Sequence, residues 1–219
     1  EALERDAVVL LEGHLGTMRD LDWGVYPYVT SSTTLAGGAC AGAGVPPNRI
    51  TRIVGVVKAY TTAVGSGPLP TEERGEVGER LRELGAEYGA TTGRPRRCGW
   101  FDGVAARFAA RLNGCTEIAL MKLDVLDAFD RIRVCVAYEL DGRLLFTVPP
   151  TPVLERVRPV YEDLQGWRTS TSGVARYADL PQAARAFVRR IQELCGVPVT
   201  LIGTGARREH TIHTPGGIG

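Results

Sequence analysis

The sequence predicts an α/β chain of short strands and amphipathic helices. Three observations carry that expectation. Short apolar runs, such as 118–120, 132–138 and 197–202, the last two with several β-branched residues, read as buried strands. Between them, apolar residues recur every three or four positions, the spacing of amphipathic helices. Glycine-containing polar loops follow several of the strand signals, where α/β proteins usually place ligand groups.

In order, residues 8–11 (Val-Val-Leu-Leu) give a short strand signal, and 12–16 (Glu-Gly-His-Leu-Gly) follow as a loop. The run 29–34 (Val-Thr-Ser-Ser-Thr-Thr) carries five hydroxyls, which either bond their own backbone in turns or line a polar pocket. The glycine-rich stretch 36–44 lacks the strand-then-helix context of a dinucleotide fingerprint and is expected to pack small residues against a neighbouring backbone. Asn48 is a candidate N-cap for a helix presenting Ile50, Ile53, Val54 and Val57, with Lys58 to Thr62 at its end. Residues 65–70 (Gly-Ser-Gly-Pro-Leu-Pro) break that segment. A second helix is expected with Val77, Leu81 and Leu84 on one side. A third carries Val104, Phe108 and Leu112 and stops at Asn113-Gly114. Residues 118–124 run from apolar to charged. Strands at 132–138 and 144–148 are joined as a hairpin by Asp141-Gly142. Residues 149–159 read as irregular. Pro181 opens a helix with Ala184, Phe187, Val188, Ile191 and Leu194 on its core face and Gly196 as its stop, before a last strand at 197–202.

The 219 residues are 44% hydrophobic and 23% charged, enough for one sizeable core. Formal net charge is +1, so no whole-molecule field points to nucleic acid or a membrane, and any anion must be held locally. The five scattered cysteines show no Cys-x-x-Cys spacing, and with three histidines they argue against a zinc site and for reduced thiols in a cytoplasmic protein. No apolar run has the length of a membrane span, and no signal peptide is visible. The chain opens on Glu1 without a methionine, as a piece cut from a longer protein would.

The richest chemistry lies between Glu87 and Trp100. Thr91, Thr92 and Gly93 lead into Arg94, Pro95, Arg96 and Arg97, and the stretch closes on Cys98-Gly-Trp. Guanidinium forks match carboxylates and phosphates in two-point contact, and glycines let the backbone approach a ligand. A second candidate is Lys122-Leu123-Asp124 at the end of a buried strand. It is either a charged turn or a purine reader. A carboxylate can accept from both N1–H and the exocyclic amine of guanine, while a lysine stem lies on the ring face.

Residues 91–102 (Thr-Thr-Gly-Arg-Pro-Arg-Arg-Cys-Gly-Trp-Phe-Asp) resemble the substrate loop of the adenylosuccinate synthetase family, and the similarity runs from Glu12 to about Ile212. It corresponds to the C-terminal half of that family's enzyme. The resemblance implies the C-terminal portion of a large mixed-sheet, P-loop-like GTP-dependent ligase fold with helices packed on the sheet, residues 1–219 forming one half of the domain. The phosphate loop and the catalytic Asp/His pair would lie in the other half. It implies joining of L-aspartate to inosine monophosphate (IMP) through a 6-phosphoryl intermediate, with Mg²⁺ held by the other half and a homodimer as the assembly. By the same resemblance, Ala90, Thr91, Thr92, Gly93, Arg94, Pro95 and Arg96 form the aspartate loop, and Thr30, Arg94 and Leu15 face IMP. Arg96, Lys122, Leu123, Asp124, Gly203, Thr204 and Gly205 face GTP. No catalytic residue and no metal ligand is expected in this chain, which alone would bind without turnover.

At Leu15 the family pattern has glutamine, and Leu35 and Ala206-Arg207 also depart from it. His14 either compensates for Leu15 or is solvated. Two alternatives therefore stand beside the ligase reading: a paralogous purine-nucleotide ligase with another base or amine donor, and a non-catalytic guanine-nucleotide-binding fragment.

Overall fold

The computed structural model describes residues 2–5, 7–89 and 93–218. It divides into two compact units, Glu1–Thr51 and Arg52–Gly219.

In the first unit the only α-helix among the described residues is α1 (Ala36–Ala43), closed by Gly44 at a left-handed φ of 64°. The glycine-rich stretch thus forms a helix with no buried residue. Only Gly38 is closely packed, where a Cβ would lie 2.6 Å from the Thr33 methyl. The strand expected at 8–11 is absent. Val8 and Leu10 are exposed, and no described strand pairs with them. A strand is stabilised by its ladder, which an apolar run cannot supply by itself. Asp20 organises this unit instead: Oδ1 accepts from the amides of Asp22 and Trp23 at 3.0 Å each, and Oδ2 from that of Thr34 at 2.7 Å. Burial would push this carboxyl up, but those amides hold it below its ordinary range.

The second unit begins with β1 (Val54–Lys58) and β2 (Thr61–Ala63), where a helix was expected from Ile50 onward. Apolar spacing over so few residues does not separate helix from strand. The β-branched Ile53, Val54, Val56 and Val57 favour the strand, as does the tight site of Gly55, where a Cβ would approach Cys115 Sγ and Ile118 Cδ1 to 3.0 Å. Asn48 lies in a 3₁₀ turn (Pro47–Arg49) and caps no α-helix.

Next come α2 (Glu76–Leu84), β3 (Arg97–Gly99), β4 (Phe101–Asp102) and α3 (Gly103–Asn113). Asp102 caps α3 through the amides of Val104 and Ala105 and also accepts from Tyr138 Oη at 2.7 Å. Then follow β5 (Glu117–Met121), β6 (Arg131–Leu140), β7 (Arg143–Leu145), the short α4 (Thr151–Leu154) and β8 (Arg158–Gln165). The segment read as irregular therefore holds a helical turn and the start of a long strand. The chain ends with α5 (Gln182–Cys195), β9 (Val199–Gly203) and β10 (Thr211–His213).

One sheet has the order β1-β5-β9-β10, with the first three strands parallel and β10 antiparallel to β9. A second is built on β6, which pairs parallel with β4 and antiparallel with β7 and β8. β2 and β3 form a separate antiparallel ribbon. All five expected core residues of α5 are buried, packed in one cluster with Ile118, Leu120, Ile132, Val134 and Ile202. The α/β expectation with helices on a mixed sheet holds. All five cysteines are free. Among the described residues no helix is long and apolar enough to cross a membrane.

Candidate functional site

Parallel neighbours β1, β5 and β9 deliver their carboxyl ends to one edge of the first sheet. Lys58 is opposite Met121, and Leu120 is opposite Ile202. Lys122 therefore follows Lys58 at the same edge, and Gly203 is beside them. Lys122 turns the chain with a left-handed φ of 61° into a 3₁₀ segment (Leu123–Ala128).

The arginine loop reaches this edge through Glu87. After α2 the chain passes Gly85 and Ala86, and the Glu87 amide returns to the Arg82 carbonyl at 2.8 Å. The loop is a hairpin. Arg96 N–H donates to the Glu87 carbonyl at 2.9 Å, Gly89 N–H to Arg94 at 2.8 Å, and Gly93 N–H to Gly89 at 2.8 Å. Gly93 takes a φ of 63°, which suits glycine. Ala90, Thr91 and Thr92 lie outside the described residues. Arg94 and Pro95 are exposed, and Pro95 bridges Tyr88.

The Glu87 carboxylate is fully buried and gathers four donors. Tyr60 Oη donates to Oε1 at 2.5 Å, Lys122 Nζ to Oε1 at 2.9 Å, and Arg96 Nη1 to Oε2 at 2.7 Å. Lys58 Nζ spans both oxygens at 2.9 Å. Burial alone would raise the Glu87 carboxyl. Tyr60, Lys58 and Lys122 overcome it and hold the pKa at about 2. Burial pushes the Lys58 ammonium down while Glu87 opposes, and burial and Glu87 together push the Tyr60 phenol up.

Arg97, counted with the other arginines in the sequence, is structural. It forks onto Glu72 at 2.8 and 2.7 Å and donates to the Gly65 and Gly67 carbonyls. Glu87, Lys58 and Tyr60 were not singled out by sequence reasoning as site residues. The available signals were a charged residue ending a strand and an acid opening the arginine loop.

In the turn after β5 the Leu123 side chain points into the core, so that residue offers this edge its backbone. Asp124 Oδ1 is buried without a hydrogen-bond partner, and burial followed by nearby Asp127 pushes this carboxyl above its ordinary range. Asp127 itself is occupied by Trp167 Nε1 at 2.6 Å and by Thr171. Thr204 is fully buried, its hydroxyl donating between the Val174 and His210 carbonyls. A Cβ on Gly205 would strike His210 Nδ1 at 2.3 Å, so only glycine fits there. Arg96, Lys122, Asp124 and Gly203–Gly205 thus belong to one edge.

In the first unit, Thr30 N–H donates to the Arg19 carbonyl at 2.8 Å. Leu15 is 57% exposed with a φ of 69°.

A family model described as adenylosuccinate synthetase matches residues 1–212. The adenylosuccinate synthetase of Pelobacter propionicus is 53% identical over 211 residues, 96% of this chain and 49% of its own length. That of Methanothrix thermoacetophila is 56% identical over 214 residues, 97% of this chain and 51% of its own length. A fully ligated adenylosuccinate synthetase from Plasmodium falciparum matches with a TM-score of 0.95 at 40% identity, over 97% of this chain and 51% of that one. The cyanophage S-2L succinoaminodeoxyadenylate synthetase, bound to dGMP and dATP, matches at a TM-score of 0.56 and 22% identity, over 93% of this chain and 45% of that one, a likeness of fold alone. The chain spans about half the length of the curated relatives it matches.

Proposed function

The chain belongs to the adenylosuccinate synthetase family, and we propose that it supplies one half of a GTP-dependent ligase joining L-aspartate to IMP. The observation that carries the reading is Asp124: a buried carboxylate oxygen without a partner, beside Lys122 and the Gly203–Gly205 backbone at the carboxyl edge of a parallel sheet. An unsatisfied buried acceptor is costly, and a guanine ring supplies a donor for it.

Asp124 accepts from N1–H and the exocyclic amine of guanine, and the Lys122 stem covers the ring. Arg96, held against Glu87, faces the GTP phosphates. Ala90 to Arg96 enclose aspartate, with Arg94 reaching both its carboxylate and IMP. Thr30 and Leu15 face IMP. In this reading GTP phosphorylates O6 of the purine and the aspartate amine displaces that phosphate, so this half works by placing cations and excluding mismatched bases. Mg²⁺, when bound with GTP, neutralises charge on the phosphates. Among the described residues no three His, Cys, Asp or Glu side chains are grouped to hold a metal ion, and none of this chain's residues is assigned to it. The Asp/His pair for acid–base work, the phosphate loop and the Mg²⁺ ligands are assigned to the other half. The working form is a cytoplasmic homodimer.

The test is the full-length protein supplied with GTP, aspartate and IMP. Phosphate release with new purine absorbance supports the reading, and release of neither refutes it. Calorimetry of the 219-residue chain adds a second check: GTP binding without hydrolysis is expected.

A further inference from the structure

Glu87 has no substrate to bind in this reading, yet its carboxylate touches both Arg96 of the arginine loop and Lys122 of the turn after β5. We propose that Glu87 is a positioning residue that couples them, so that a guanine nucleotide at Lys122 and Asp124 steadies Arg96 and the Gly93 backbone on the other side of the carboxylate. The proposal rests on the guanine reading of that turn.

The two carboxylate oxygens divide the contacts. Oε1 takes Lys122 at 2.9 Å, and Lys122 also donates to the Gly85 carbonyl at 2.5 Å, so the lysine is moored to the segment just before Glu87. Oε2 takes Arg96 at 2.7 Å, while the Glu87 carbonyl accepts the Arg96 amide at 2.9 Å. Lys58 spans both oxygens. A carboxylate is planar and rigid, so turning Oε1 to follow Lys122 necessarily moves Oε2 against Arg96.

Charge reinforces the geometry. Three cations share one anion, each holding only part of it, and each remains partly open to solvent. A ligand that draws on one cation changes the share of Glu87 left to the others. The far side of the loop does not take part, because Arg97 is fixed separately by Glu72 and the Gly65 and Gly67 carbonyls.

The experiment follows amide hydrogen exchange in the full-length protein with GDP as the probe, alongside calorimetry. In the unsubstituted protein, saturating GDP is expected to slow exchange of the Gly93 and Arg96 amides about tenfold, within the usual range for coupled sites. Glu87→Gln should still bind GDP, but the slowing should vanish. Glu87→Asp keeps the buried charge should the glutamine variant not fold. One methylene short, it cannot hold Arg96 and Lys122 together and should give the same result. A merely structural role would lower Tm and speed exchange in free and bound protein alike, leaving the GDP-dependent difference intact. Slowing of equal size in either variant, or none in the GDP-bound unsubstituted protein, overturns the coupling. Failure of GDP to bind the unsubstituted protein at all refutes the guanine reading instead, and the coupling with it.

Discussion

Asp124→Asn separates guanine recognition from mere folding. In the free protein the substitution removes a buried charge with one unpartnered oxygen, whose carboxyl burial already pushes up. Tm should therefore hold or rise. With GTP the effect reverses. Asparagine keeps one acceptor but turns an amide donor toward the exocyclic amine, replacing a charge-assisted bond with a donor–donor clash. Hydrogen bonds to charged groups contribute about 1.5–3 kcal/mol each, so losing one and weakening the other costs about 2–4 kcal/mol. At 1.4 kcal/mol per decade, kcat/KM for GTP should fall by roughly 30- to 700-fold. Xanthosine triphosphate carries a carbonyl where guanine has the amine, so the variant should prefer it. The assay is phosphate release by the full-length protein with each triphosphate in turn, at saturating aspartate and IMP. A kcat/KM for GTP within about threefold of the unsubstituted value, less than one hydrogen bond's worth, would place the base elsewhere.

Arg94→Ala should raise the KM for aspartate by about two orders of magnitude, the scale of a two-point guanidinium contact, and an unchanged KM removes Arg94 from the amino-acid site. Leu15→Gln, at an exposed position whose φ glutamine tolerates as well as leucine, should raise kcat/KM for IMP; no gain in a steady-state assay dismisses Leu15 as the residue that sets the purine. Asp102→Ala removes the α3 cap and strands the Tyr138 hydroxyl in the core, so denaturant titration should show a loss of about 2–4 kcal/mol. Glu87 and Glu117 are both held at about 2 against an ordinary 4.5, Glu117 chiefly by Arg52. Depressed carboxyls stabilise the fold fully above pH 4.5, and that stability is lost as pH falls toward 2. Glu117→Gln should flatten the dependence of Tm on pH across that window, and an unchanged slope contradicts the assignment.

Much of the fold was legible because its signals are local. The core face of α5, the left-handed stop of α3 at Gly114 and the Asp141-Gly142 turn, with φ of 50° and 77°, each follow from a few adjacent residues. β1 misled because its spacing also fits one side of a helix, and its identity came from pairing with β5, more than sixty residues on. β8 was obscured by prolines and by Glu162 and Asp163, charges that find Arg190 and Arg133 only after folding. The site divides along the same line. Arg94, Arg96, Lys122 and Asp124 announce themselves by type and neighbours. Glu87 does not, because its partners Lys58 and Lys122 are 29 and 35 residues away. A carboxylate at the foot of a basic loop reads as one more surface charge until the topology surrounds it with three cations. Cations proposed to meet a ligand are therefore visible in the chain, whereas the anion that gathers them is defined only by the convergence of strands.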